Sequence, residues 1–176
     1  MTSRHGDPAE TVAAAFRALD DGRIRVVAQS RLYRTPFVPA GAGPDVINAA
    51  ALLGTDLAPG ALLQALHRIE TDFDRTRAAR WGSRTLDLDL LMVGQRVMPD
   101  RDTFLHWQAM PVADQQTQAP EELILPHPQM AARAFVLVPA AEVAPGWRHP
   151  VFGETLAEML AALPGEDVAA VRPLEI

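Results

Sequence analysis

Asp87 and Asp89 stand two residues apart in the run Leu86-Asp87-Leu88-Asp89-Leu90. On an extended backbone, side chains two apart project from the same face. The leucines then form one apolar face and the two carboxylates share the other. Bare carboxylates this close repel by roughly 1 kcal/mol or more at a surface-like dielectric. Such a pair is kept where a cation sits between its members, and hard oxygen ligands favour Mg²⁺. Arg75, Arg77, Arg80 and Arg84 lead into the pair, with Trp81 among them. Metal between carboxylates and arginines around a polyphosphate is the division of labour of phosphoryl transfer. Trp81 offers an apolar lid or a stacking plane for a heterocycle. Further along, Pro126-His127-Pro128 is followed by Arg133, and both His127 and Arg133 are candidate phosphate contacts. Thr35, Pro36 and Asn48 flank a Gly/Pro-rich loop, and an asparagine both donates to and accepts from a polar ring.

Each of these has a plainer reading. A bare D-x-D is most often a solvated strand face, and a charge run a solvated loop. A lone histidine such as His127 is more often structural than catalytic, and periodicity alone puts Phe135 in a core. The clustering of arginines around a self-repelling pair tips the balance towards a site.

The elements that must hold these residues follow from local signals. Asp7-Pro8-Ala9-Glu10 reads as a helix start, and the helix runs to about Leu19 with Val12, Phe16 and Leu19 on one stripe. Strands are expected over Ile24 to Tyr33 and Val46 to Leu53, with a loop from Arg34 to Pro44. Leu62, Leu66, Ile69 and Phe73 have helical spacing within Ala58 to Phe73. Asp74 to Ser83 is a polar loop, Arg84 to Val93 the strand bearing the aspartates, and Gly94-Gln95 a turn. Residues 99–120 lose periodicity and read as an exposed insertion. Leu123 to Leu125 is a short strand, and Pro126 opens a helical region to Ala141. Thr155 to Glu158 is a capping box starting a helix to Leu163. Val168 to Val171 is an edge strand. The order implies a single α+β domain, an α/β sandwich compatible with a ferredoxin-like arrangement with a mixed or antiparallel sheet.

Composition narrows the function. The chain has 176 residues, 48% of them hydrophobic, and a formal net charge of -6. That charge argues against nucleic-acid binding, which needs a positive footprint. No apolar run is long enough to span a bilayer, and the N-terminal residues have no apolar signal segment, so a cytoplasmic protein is expected. With no cysteine, thiolate nucleophiles and cysteine-ligated zinc are excluded. All 16 cationic residues are arginine, which rules out a phosphate-loop or Schiff-base lysine. Phosphate held by side-chain cations here is held by arginine's planar fork.

Taken in order, Tyr33-Arg34-Thr35-Pro36, Asn48-Ala49-Ala50, Arg80 to Asp89, and Pro126-His127-Pro128 with Arg133 and Phe135 resemble the 6-hydroxymethyl-7,8-dihydropterin pyrophosphokinases of folate biosynthesis. The resemblance covers about residues 8–145. It implies transfer of pyrophosphate from ATP to the pterin hydroxymethyl group, releasing AMP, with two Mg²⁺. It implies that Asp87 and Asp89 hold the metal ions and act with Arg75 and Arg84 in catalysis. Arg75, Arg77, Arg84, His127 and Arg133 would meet the ATP phosphates, His67 and Glu70 the nucleotide, and Trp81 would help close the site. Thr35, Pro36, Val38 and Asn48 would line the pterin pocket, with Phe135 stacked on the ring. ATP and the reduced pterin are the expected partners of a monomer.

Four departures stand out. Family members begin with a strand ending in a Gly-Ser-Asn-like turn, whereas this sequence begins almost at the first helix. Val46 replaces an aromatic ahead of Asn48. Ser83 stands where proline is usual. The 99–120 insertion has no assigned counterpart. Two readings compete: a non-catalytic domain of the same fold that binds nucleotide or a partner, and a Mg²⁺-dependent nucleotidyltransferase. The latter accounts for D-x-D but leaves Thr35, Asn48 and Pro-His-Pro unexplained.

Overall fold

The computed structural model describes residues 7–36, 45–75, 86–111, 114 and 118–175. The first helix, α1 (Pro8–Leu19), starts as its sequence dictates. The Asp7 carboxylate accepts from the Ala9 amide at 2.9 Å, and Pro8 occupies the first turn, where no N–H is needed. Val12, Ala15 and Leu19 are buried on one stripe.

The two expected strands each divide in two. β1 (Ile24–Gln29) pairs antiparallel with β4 (Ala51–Thr55), and β2 (Tyr33–Thr35) pairs antiparallel with β3 (Val46–Asn48). The break falls at Ser30 and Ala50. The buried Ser30 hydroxyl accepts from the Ala50 amide (2.9 Å) and donates to the Arg31 carbonyl (2.7 Å). A side chain that takes over backbone bonds in this way interrupts the ladder. A short β5 (Arg172–Pro173) completes the second sheet against β2.

Helix α2 (Pro59–Arg75) lays Leu62 and Ala65 against Ile24, with Leu53, Leu57, Leu90 and Val93 packed around them. Helix α4 (Ala134–Val143) and helix α5 (Leu156–Ala162) build the largest core cluster, from Met130, Leu137, Ala140, Leu156 and Met159. The expected capping box is present: the Glu158 amide donates to the Thr155 hydroxyl, and the Glu158 carboxylate accepts from the Thr155 amide. The architecture is α+β, and among the described residues every paired strand is antiparallel.

Five local expectations are corrected. No strand is assigned over the described part of Arg84 to Val93. A strand needs a ladder partner; here the Leu88 amide goes to a side chain and the Leu91 carbonyl accepts from His127, a loop residue. The described part of 99–120 is not formless: α3 (Arg101–Gln108) is capped by Asp100, whose carboxylate accepts from the Thr103 amide at 2.9 Å. Its Phe104 is fully buried against His149 and Phe152, so tertiary packing anchors a helix too short to stand alone. The helical region after Pro126 is broken into a single 3₁₀ turn (Met130–Ala132) and α4, because Arg133 takes an extended backbone between them. Val168 lies in α6 (Gly165–Ala170) rather than in an edge strand, with Glu166 and Asp167 in its first turn. Leu125 forms only an isolated bridge, to Met98.

One clamp joins the second sheet to α4. The Tyr33 hydroxyl donates to Glu142 at 2.6 Å, and Arg31 Nε donates to the same carboxylate at 3.1 Å. Burial opposes ionisation of Glu142, but these donors, with the Arg31 amide and the Arg31 charge, outweigh it and hold the carboxyl below its usual range. Tyr33→Phe is expected to lower stability by about 1–2 kcal/mol, the scale of one hydrogen bond to a charged group at a half-buried position. A urea midpoint that does not move would show the clamp to be energetically idle.

Candidate active site

The aspartate segment shows the alternation its sequence implies. Leu86 is buried, Leu88 and Leu90 are half-buried, and Asp87 and Asp89 are exposed. With no ladder assigned, other groups hold the segment in place. The buried Glu70 of α2 accepts from the Leu88 amide at 2.7 Å, between the two aspartates. The His127 amide donates to the Leu91 carbonyl at 2.7 Å. These bonds tie the carboxylates to α2 on one side and to the Pro-His-Pro loop on the other.

Asp87, Leu88 and Asp89 line two cavities at once. The larger, about 570 Å³, is also lined by His67 and Glu70 from α2, by His127, and by Arg133. The smaller, about 170 Å³, lies between α1, β3 and α4 and is lined by Phe16, Asn48 and Phe135 among others. A pair of carboxylates on a shared wall can serve reactants arriving from both sides.

The smaller cavity has its polar partner held in place. Asn48 donates its side-chain N–H to the Thr35 hydroxyl at 2.7 Å, and that hydroxyl faces the Val46 carbonyl at 3.5 Å. Thr35 is buried and lines neither cavity; its link to the smaller one is this hydrogen bond with Asn48. Pro36 is exposed and also lines neither. The Phe135 ring lies 5.9 Å from the Arg133 guanidinium carbon, which links the lining of the two cavities.

His127 is set up as a neutral donor. Its Nδ1 accepts from the Gln129 amide at 3.2 Å, so in the neutral ring the proton sits on Nε2. Burial lowers its pKa, the Asp89 charge opposes that, and the Arg133 charge adds to it. Among the described residues no cluster of three or more histidine and acidic side chains is placed to hold a metal ion. Two carboxylates nevertheless suit Mg²⁺, which commonly binds one or two of them and completes its shell with water and substrate phosphates.

The model of the 7,8-dihydro-6-hydroxymethylpterin-pyrophosphokinase (HPPK) family matches residues 1–145. The chain belongs to the HPPK family. A 2-amino-4-hydroxy-6-hydroxymethyldihydropteridine pyrophosphokinase of Pseudomonas aeruginosa is 40% identical over 170 residues, covering 96% of this chain and 91% of its own length. One of Methylorubrum extorquens is 38% identical over 166 residues, 93% of this chain and 90% of the relative. One of Haemophilus influenzae is 34% identical over 145 residues, 82% and 78% respectively. HPPK membership makes the activity that of a pyrophosphokinase of folate biosynthesis. No described helix is long and apolar enough to cross a membrane.

Against the HPPK pattern, the structure brings Asp87, Asp89, His67, Glu70, His127 and Arg133 together around one cavity and Asn48 and Phe135 around the other. Arg77, Arg80, Trp81, Arg84 and Val38 lie outside the described residues, as does the side chain of Arg75. Sequence reasoning missed Gln129, whose side-chain amide donates to the Trp107 and Gln108 carbonyls at 3.0 and 3.3 Å. Its place directly after Pro-His-Pro was the available signal. Sequence reasoning also gave Glu70 only a nucleotide contact; the geometry adds a hold on the aspartate segment.

Proposed function

We propose that the larger cavity receives ATP and the smaller one the reduced pterin, and that Asp87 and Asp89 act on both at their shared wall. The observation that carries this reading is that one carboxylate pair lines both cavities. The pterin hydroxymethyl oxygen attacks the β-phosphorus of ATP. The bond from that phosphorus to the α,β-bridging oxygen breaks, AMP leaves, and the diphosphate passes to the pterin as the hydroxyl proton is released. Catalysis of this kind is mostly positioning and charge stabilisation, so no side-chain nucleophile is needed.

Asp87 and Asp89 hold the two Mg²⁺ ions, which when bound supply charge neutralisation across the phosphate oxygens. His127 offers its Nε2 proton to a phosphate oxygen as a neutral donor, and Arg133 contributes a permanent positive charge. Arg75, Arg77 and Arg84 are carried over from the family pattern as phosphate contacts, and Trp81 as an apolar contact beside them. His67 and Glu70 face the nucleotide from α2. On the pterin side Asn48 pairs with the polar ring edge, oriented by Thr35, while Phe135 stacks on the ring face; Pro36 and Val38 are carried over from the family pattern alone.

Incubation with ATP, Mg²⁺ and the reduced pterin, followed by nucleotide chromatography, tests this directly. AMP is the expected nucleotide product. ADP alone would mark an ordinary kinase, and no product from folded protein would favour a non-catalytic nucleotide-binding domain.

The hold of Glu70 on Leu88 makes a further expectation. Glu70→Ala leaves that amide without this acceptor and loosens the aspartate segment. Turnover should fall by about 10- to 100-fold, on the scale of one hydrogen bond to a charged group. Glu70→Gln keeps an acceptor and should recover most of the loss. Equal rates for both variants and the parent protein would remove Glu70 from the positioning role.

A further inference from the structure

The insertion contributes a side chain to the larger cavity. Trp107, in the last turn of α3, lines that cavity together with Asp89, His127 and Arg133. Apart from the His67 and His127 imidazoles it is the one aromatic ring lining the cavity among the described residues. It is half-buried, with one flank against the edge of the His106 ring at a centroid distance of 5.9 Å.

Its position is held at two points. Phe104, three residues earlier and hence on a neighbouring part of the same helix face, is fully buried against His149 and Phe152. The Gln129 side-chain amide donates to the carbonyls of Trp107 and Gln108, fastening the end of α3 beside His127. A tryptophan that only filled a core would not border a cavity of about 570 Å³. Leu63, Leu90, Leu123 and Ile124 add apolar wall. A purine needs such a wall and an aromatic plane, and neither phosphates nor Mg²⁺ require one.

We propose that Trp107 stacks on the purine base of ATP, making helix α3 part of the nucleotide site. This rests on the reading of the larger cavity as the ATP site. The test compares the parent protein, Trp107→Ala and Trp107→Phe. Steady-state kinetics give KM for ATP and kcat, and calorimetry gives affinities for Mg²⁺-ATP and for Mg²⁺-tripolyphosphate, which carries phosphates but no base. Trp107→Ala should raise KM for ATP and weaken ATP binding by about 10-fold, the scale of one lost base–aromatic stack. Its kcat and its tripolyphosphate affinity should stay within about 2-fold, and Trp107→Phe should restore most of the ATP affinity.

Unchanged ATP binding in Trp107→Ala overturns the proposal. So does equal weakening towards ATP and tripolyphosphate, which would mark a merely structural side chain; so does failure of Trp107→Phe to rescue a folded protein. If the parent protein binds neither ligand, the nucleotide reading of the cavity itself fails, a result distinct from a Trp107 effect.

Discussion

Asp87→Ala and Asp89→Ala are each expected to abolish AMP formation, with turnover at least about a thousand-fold below the parent protein. Removing one donor aimed at developing charge costs roughly 3–4 kcal/mol. Here each substitution also takes away half of a hard-ligand pair, so that figure is a lower bound. The fold should survive, because both side chains are exposed and exposed substitutions usually move stability by less than about 0.5 kcal/mol. Three measurements separate the cases: a single-turnover assay for AMP, a urea midpoint without metal, and a titration with Mg²⁺. Near-normal rates in either variant would sink the metal assignment. Lost activity together with a collapsed midpoint would instead make the pair structural.

The second large effect concerns pH and lies away from the site. His149 is 1% exposed, stacked on Phe152 at a centroid distance of 4.4 Å and edge-on to Trp147. Its Nδ1 accepts from the Val151 and Phe152 amides at 3.2 and 3.3 Å, which requires the neutral ring. Nε2 then carries the ring's one proton and is buried with no hydrogen-bond partner among the described residues; a second proton would have to enter at Nδ1, against the two amide donors, and leave a buried charge unsolvated. Burial lowers the His149 pKa from 6.5 to about 4. The folded state therefore binds fewer protons than the unfolded state between those values. The contribution is complete above pH 6.5 and is lost as pH falls towards 4.

The slope from His149 approaches about 1.4 kcal/mol per pH unit within that window, reaching roughly 3 kcal/mol across it. His127, whose pKa is also lowered, adds in the same direction. The carboxyls of Glu142, Glu158 and Asp100, held below their usual range, add their losses only at the acid end. Urea midpoints between pH 7 and 5 should fall steeply in the parent protein and distinctly less in His149→Phe. That variant starts lower at pH 7, because two amides lose their acceptor. Parallel pH profiles for the two proteins would refute the assignment.

Much of the chemistry was legible before any fold was known. Phosphoryl transfer could be read from Asp87 and Asp89 because two carboxylates at spacing two share a face in any extended conformation and repel without a cation. Helix starts at Asp7 and Thr155 were equally legible, since a cap is a bond between near neighbours in sequence. The strand expected around the aspartates was not assigned, because pairing depends on a partner from elsewhere in the chain. Its alternation survived all the same, held by Glu70 and His127.

Non-local packing decided the remainder. Residues 99–120 have no periodicity that predicts a helix, yet Phe104 finds an aromatic socket more than forty positions away in His149 and Phe152. Nothing local announces that Tyr33 will meet Glu142, that Gln129 will fasten the end of α3, or that Thr35 will bond to Asn48. By itself the sequence determined which groups carry charge, which can ligate a hard metal and where helices begin, because these depend on residue type and short spacing. Only the tertiary structure decided that the aspartates wall two cavities at once and that Trp107 borders the larger, because a cavity is the space left between elements distant in the chain.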